Sequence, residues 1–143
     1  MEDDGPVDID TSDYFSGRKV VLFSVPGAFT PTCSISHLPG FVELAGQFFE
    51  KGIKAIGCVA VNDVFVMNAW GKSAGADKLD MLADGNGEFA AALGLEMDAS
   101  AFGMGQRSQR FALVADDGVV SGLFVEAPGE FRVSTAEHVL ANL

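Results

Sequence analysis

From Lys19 onward, short β-branched apolar runs alternate with longer segments whose apolar residues return every three or four positions, and few folds accommodate that order. The run Val20-Val21-Leu22-Phe23-Ser24-Val25 reads as a strand buried on both faces, stopped by Pro26-Gly27. Beyond a Pro-containing turn, Leu38, Phe41, Val42, Ala45, Phe48 and Phe49 share a helical face until Lys51-Gly52 closes the segment, which puts Cys33 in its first turn. Residues 53–61 read as a second buried strand. Asn62-Asp63 then caps a helix with Val66, Met67 and Trp70 on one face, ending before Gly71. Residues 79–83 form a third strand, Asp84-Gly85-Asn86-Gly87 a turn, and residues 88–93 a helix ended by Gly94. A looser stretch, 96–109, precedes a hairpin of 111–115 and 119–125 around Asp116-Asp117-Gly118. Ser134-Thr135-Ala136-Glu137 then caps a last helix. The order implies an α/β architecture, a mixed central sheet with helices on both faces, and a thioredoxin-like fold satisfies it.

At 143 residues and 48% hydrophobic content the chain reads as one domain, 1–143, with a poorly structured acidic lead-in over 1–16. Its formal charge of −11 repels nucleic acid and anionic membrane surfaces, so neither is expected as a partner. The first residues carry no apolar core and no later run is long enough to span a bilayer, so a soluble, cytoplasmic protein without a signal peptide is expected. Two cysteines make a poor disulfide scaffold, and no cluster has zinc spacing. Any role for these thiols is chemical or one of packing.

A cysteine is a good nucleophile only as its thiolate, and the free N–H groups of a helix start favour the anion. Cys33 occupies such a position. Pro31 suits a tight approach to the helix, Thr30 can turn its hydroxyl toward the sulfur, and Pro26, at the C-terminal end of the first strand, can exclude water. The segment itself lacks a cation. The one dense basic cluster is Arg107-Ser108-Gln109-Arg110, just before the strand at Phe111, from which a neighbouring strand could deliver an arginine to the sulfur. His37, one turn beyond Cys33, invites a Cys–His dyad, or serves as a partly buried or interface residue. Each residue also has a plainer role: cysteine as packing, Thr30 and Pro31 as turn formers, the arginines as solvated edge residues, Met67 and Trp70 as core or a subunit contact.

Residues Pro26 to Cys33 match the P-x-x-x-T-x-x-C motif of peroxiredoxins, and the block VPGAFTPTCSISHLPGF resembles the plant type II and mammalian type 5 branch. CVAVNDVFVMNAW, LADGNGEFAAALGLEMD and RSQRFALVADDGVV extend the resemblance from Lys19 to the C-terminus. The resemblance implies a thiol-dependent peroxidase acting on hydrogen peroxide and alkyl hydroperoxides, with no cofactor, metal, flavin or haem. It makes Cys33 the peroxidatic cysteine, with Thr30 bonded to sulfur and peroxide, Pro26 shielding the pocket, Arg110 polarising the peroxide and Arg107 in a less essential position. It further implies a homodimer regenerated by glutaredoxin with glutathione, or by thioredoxin.

Two departures from the pattern stand out. The segment before the first strand is short, so an N-terminal hairpin is expected to be reduced or missing. Ser134 stands near the place of the mammalian C-terminal resolving cysteine, which closes that route. Cys58 matches the second cysteine of the plant type II proteins. Its apolar strand instead suggests a buried core thiol, inert because burial raises thiol pKa and blocks access, so both roles stay open. Two other functions fit parts of the sequence: a monothiol glutaredoxin-like oxidoreductase, because Cys33-Ser34-Ile35-Ser36 is a C-x-x-S sequence, and a non-enzymatic redox sensor. Against the former, Gln109-Arg110 stands where such proteins carry a proline.

Overall fold

The computed structural model describes residues 1–143. Elements are numbered in chain order. Strand β1 (Lys19–Ser24) runs parallel to β2 (Ala55–Ala60), which runs parallel to β3 (Asp80–Ala83). On the other side β1 pairs antiparallel with β6 (Phe111–Asp116), and β6 with β7 (Val119–Val125), giving the order β3-β2-β1-β6-β7. The crossovers are helical: α2 (Leu38–Glu50) between β1 and β2, and α3 (Val64–Ser73) between β2 and β3. Helix α4 (Glu88–Leu93) follows β3, and α5 (Ala136–Ala141) ends the chain. Asp63 and Thr135 cap α3 and α5 by accepting from Val66 N–H at 2.8 Å and His138 N–H at 3.1 Å, and Gly94, in the left-handed region, stops α4.

Because side chains alternate across a strand, the sheet has two apolar faces. Val21 and Phe23 of β1, Ile56, Cys58 and Ala60 of β2, and Ala112 and Val114 of β6 pack against α2, α3 and α5, burying Phe41, Phe48, Met67, Trp70 and Val139. Leu22, Val59, Phe111, Leu113 and Ala115 face the other way, toward Phe15 and Phe89. Met67 and Trp70 are thus core residues. Cys33, at the start of the segment leading into α2, belongs to the first and larger core.

Three expectations need correction. Within the lead-in, Thr11–Phe15 forms helix α1, capped by Asp10, and the buried Tyr14 donates its hydroxyl to Asp80 Oδ2 at 2.8 Å. Five residues are too few to show periodicity. The stretch 96–109 contains a ribbon, β4 (Glu96–Asp98) paired with β5 (Gln106–Ser108), whose three-residue strands are too short for alternation to register. Gly71 does not end α3. It lies inside the helix, and a Cβ there would sit 2.6 Å from Met81 Cγ, so it is a glycine of close packing rather than a stop.

His37 is the imidazole of the larger core, fully buried with ring centroids 4.8 Å from Phe23, 5.0 Å from Phe131 and 5.7 Å from Phe41. Burial, then the charge of Arg110, pushes its pKa from 6.5 down to about 3, against smaller upward pulls from the Ser134 carbonyl and Glu126. Between those values the unfolded chain binds a proton that the folded one refuses, so stability falls as pH drops through the window.

Two stability measurements follow. Gly57 of β2 faces Leu22 Cδ1 and the Tyr14 hydroxyl, each 2.8 Å from where a Cβ would stand. Gly57→Ala should therefore cost about 1–3 kcal/mol in urea unfolding, and an unchanged midpoint would show that Tyr14 yields freely. Lowering pH from 6.5 to 4.5, above the range where the depressed Glu126 pKa contributes, should lower the wild-type urea midpoint. His37→Asn should flatten that slope, and parallel slopes would contradict the assignment.

Candidate active site

The loop after β1 is shaped by residues that cannot continue a strand. Val25 N–H still bonds Val59 C=O at 3.2 Å, then Pro26 ends the ladder. Ala28 N–H donates to Asn62 Oδ1 at 2.9 Å, tying the loop to the turn after β2. Phe29 adopts φ +64°, an unfavourable region for a bulky side chain, and the residue is 54% exposed. Helical backbone starts at Pro31, and Cys33–His37 forms a π-turn in which Leu38 N–H reaches back to Cys33 C=O. Such widened turns recur at functional sites. This one buries Cys33 and His37 together while Ile35 points out, 75% exposed. The Cys33 N–H makes no backbone hydrogen bond, as expected of a first-turn amide.

Arg110 immediately precedes β6, beside the end of β1, where Ser24 is opposite Phe111. Its Nη2 donates to Cys33 Sγ at 3.1 Å and its Nη1 to His37 Nδ1 at 2.8 Å. A guanidinium can only donate, so Nδ1 is the acceptor and the ring proton sits on Nε2, which donates to Ser134 C=O at 2.9 Å. The Ser134 turn is held in turn by Glu126, whose carboxylate accepts from the N–H groups of Arg132, Val133 and Ser134 and from Ser134 Oγ, at 2.7 to 3.2 Å. Burial alone would raise the Glu126 pKa; these hydrogen bonds, those of Ser134 foremost, overcome that and hold it below the usual carboxylate value. The Glu126 N–H closes the circuit on Arg110 C=O at 3.0 Å.

The structure therefore brings Cys33, Arg110 and His37 together, but not as a dyad. Both His37 nitrogens are occupied, one by Arg110 and one by Ser134, so no Cys–His pair forms. Thr30 also differs from expectation. Its hydroxyl donates to Gly27 C=O at 2.7 Å rather than to sulfur, because the turn at Phe29 brings that carbonyl within reach; the oxygen's lone pairs stay free to accept. Arg107 does not touch Cys33. It clamps three carbonyls, those of Met104 (2.9 Å), Val61 (3.0 Å) and Pro26 (3.5 Å), binding the β5 strand to the loop. Pro26 lies half-buried at the loop's head.

Cys58 lies on β2 between Phe23 and Met81, in the same core as Cys33, and both thiols are free. Burial pushes the Cys58 thiol well up, the neighbouring Cys33 adds to that, and Arg110 opposes it. Sequence reasoning missed Glu126, Ser134's carbonyl and Asn62. The only trace of the first is a carboxylate closing an apolar strand in LFVEAPG, and a backbone carbonyl leaves no trace at all.

A family model described as Redoxin matches residues 1–140. The chain is 57% identical over 132 residues to peroxiredoxin-2E-2, chloroplastic, of Oryza sativa subsp. japonica, covering 90% of this chain and 59% of that protein. It is 52% identical over 129 residues to peroxiredoxin-2B of Arabidopsis thaliana, covering 90% of this chain and 80% of that one. The chain thus spans 59% of the length of the rice protein and likewise of the chloroplastic peroxiredoxin-2E of Arabidopsis thaliana. Among solved structures, reduced Prx3 of Vibrio vulnificus in complex with hydrogen peroxide superposes with a TM-score of 0.96 at 54% identity, over 99% of this chain and 89% of that one. A buried cysteine at a helix start, an arginine bonded to its sulfur, a mixed sheet of thioredoxin-like order and these likenesses together show that the chain belongs to the peroxiredoxin family.

Proposed function

We propose that the chain is a thiol-dependent peroxidase that reduces hydroperoxides at Cys33. The observation that carries this reading is the 3.1 Å bond from Arg110 Nη2 to Cys33 Sγ, which sets a permanent cation beside the nucleophile in a dry site. The Cys33 thiolate attacks the terminal oxygen of a hydroperoxide. The S–O bond forms as the O–O bond breaks, sulfur loses two electrons to become a sulfenic acid, and the departing alkoxide or hydroxide leaves as alcohol or water after taking a proton. Arg110 and the free Cys33 N–H stabilise the charge that moves along the S–O–O line, and the Thr30 oxygen accepts from the peroxide hydroxyl. The Vibrio vulnificus relative solved with hydrogen peroxide supports the substrate class. Apolar surroundings suit alkyl hydroperoxides as well.

A donor thiol then attacks the Cys33 sulfenic acid, releasing water and leaving a mixed disulfide that a second thiol resolves. Glutathione with glutaredoxin is the donor proposed. A thiol as buried as Cys58 is a poor attacking group. Dependence on donor thiols fits a reducing cytoplasm. A homodimer is also proposed, to which the exposed Phe29, Ile35, Phe65 and Phe102 would offer apolar side chains. The glutaredoxin-like alternative is not favoured, since an arginine, not a proline, faces the sulfur.

Stopped-flow oxidation of the reduced protein by hydrogen peroxide tests the reading: Cys33 should react far faster than a free thiol. Arg110→Lys should lower that rate by about 10²-fold with the fold intact, since an ammonium cannot serve both acceptors as a planar fork does; Arg107→Lys should lower it less. Unchanged kinetics in Arg110→Lys would remove the arginine from the mechanism. Cys33→Ser should abolish turnover, whereas Cys58→Ser should retain it with glutathione and glutaredoxin. If stoichiometric peroxide instead links Cys33 to Cys58, and the serine variant stalls as a sulfenic acid with every donor, a two-cysteine cycle operates.

A further inference from the structure

We infer that His37 is a positioning residue that acts on the reaction through Arg110, holding the guanidinium against the sulfur without neutralising it; this rests on the peroxidase reading. Arginine has a long side chain with many rotamers, so something must fix its head if it is to meet a charge that develops only during reaction. Here the fork is split. One terminal nitrogen faces Cys33 Sγ at 3.1 Å and the other His37 Nδ1 at 2.8 Å, and neither partner is a carboxylate. A carboxylate in the place of the imidazole would orient the guanidinium equally well but would compensate its charge, leaving less for the thiolate and the departing oxygen. A neutral imidazole orients and leaves the charge whole.

The imidazole is suited to that task because it is itself immobile and confined to one tautomer. Its Nε2–H is committed to Ser134 C=O, and the Ser134 turn is fixed by four hydrogen bonds to the Glu126 carboxylate. Its ring is walled by Phe23, Phe41 and Phe131, and the Arg110 guanidinium carbon lies 5.7 Å from the centre of the Phe131 ring. Positioning therefore runs from Glu126 through Ser134 and His37 to Arg110, with the acceptor at Nδ1 as the contact that matters to the reaction.

Two amide variants separate the two ring nitrogens. Asparagine places its Oδ1 near the position of Nδ1, keeping an acceptor for Arg110, whereas glutamine reaches toward the position of Nε2 and keeps the donor to Ser134 instead. Single-turnover oxidation by hydrogen peroxide would be measured for wild type, His37→Asn, His37→Gln, Arg110→Lys and the His37→Gln, Arg110→Lys double variant, with near-ultraviolet circular dichroism as the check on folding. The asparagine variant should stay within about 3-fold of wild type and the glutamine variant should lose about 10-fold. In the Arg110→Lys background the glutamine substitution should cost less than about 2-fold, because its effect passes through a group already removed. Equal losses in the two amide variants, or a glutamine effect undiminished in the double variant, would overturn the inference while leaving the peroxidase reading standing. A wild-type rate no faster than that of a free thiol would overturn both.

Discussion

The guanidinium of Arg110 is the interaction on which the site depends, and the sheet topology is what delivers it. Cys33 lies beyond the C-terminal end of β1, as sites in open α/β sheets generally do. A parallel neighbour of β1 would begin at the opposite end of the sheet. Strand β6 is antiparallel, so its first residue, Phe111, pairs with the last residue of β1, Ser24, and the residue just before it arrives beside the loop that carries the cysteine. The mixed sheet thus brings together two segments separated by 77 positions in sequence with no long connection dedicated to the purpose.

The same junction explains why so much of the site is held by backbone groups. Arg107 binds three carbonyls, Thr30 a fourth, His37 a fifth, and Glu126 three amides. Loops converging at a sheet end carry unpaired peptide groups that would be costly to bury. The side chains that satisfy them also fix the loops, so satisfying the backbone and preorganising the site are here one requirement.

Strands β1, β2 and β6 were readable in the sequence because both their faces are buried and their residues are correspondingly apolar; the caps at Asp63 and Thr135 were readable because they are local. Cys33 at a helix start and Arg110 before β6 were readable for the same reason, as each sits next to a strong boundary signal. The ribbon β4–β5 and helix α1 were not, since three to five residues carry too little pattern and their stability comes from tertiary partners such as Asp80. Nor was the true partner of His37. The helical spacing put it on the face of Cys33, correctly, but which group meets each ring nitrogen is decided by chain segments 73 and 97 residues away.

Burial of the nucleophile sets the remaining constraint. Cys33 is wholly enclosed, which strengthens the Arg110 interaction by excluding water but also shuts out peroxide and donor thiol alike. Some segment must open during the cycle, and the two cysteines differ in how firmly they are held. Cys58 lies in β2, with hydrogen-bonded strands on both sides, so exposing it means breaking the sheet. The loop before Cys33 is tied to its surroundings by single side-chain contacts, Ala28 to Asn62 and Arg107 to Pro26, and it contains Phe29 in a conformation that opposes its own retention. Local opening proceeds where few bonds are lost and strain is relieved. In the proposed cycle the loop, rather than the strand, is therefore the part expected to yield, presenting the oxidised sulfur of Cys33 to an external thiol while Cys58 stays in the core.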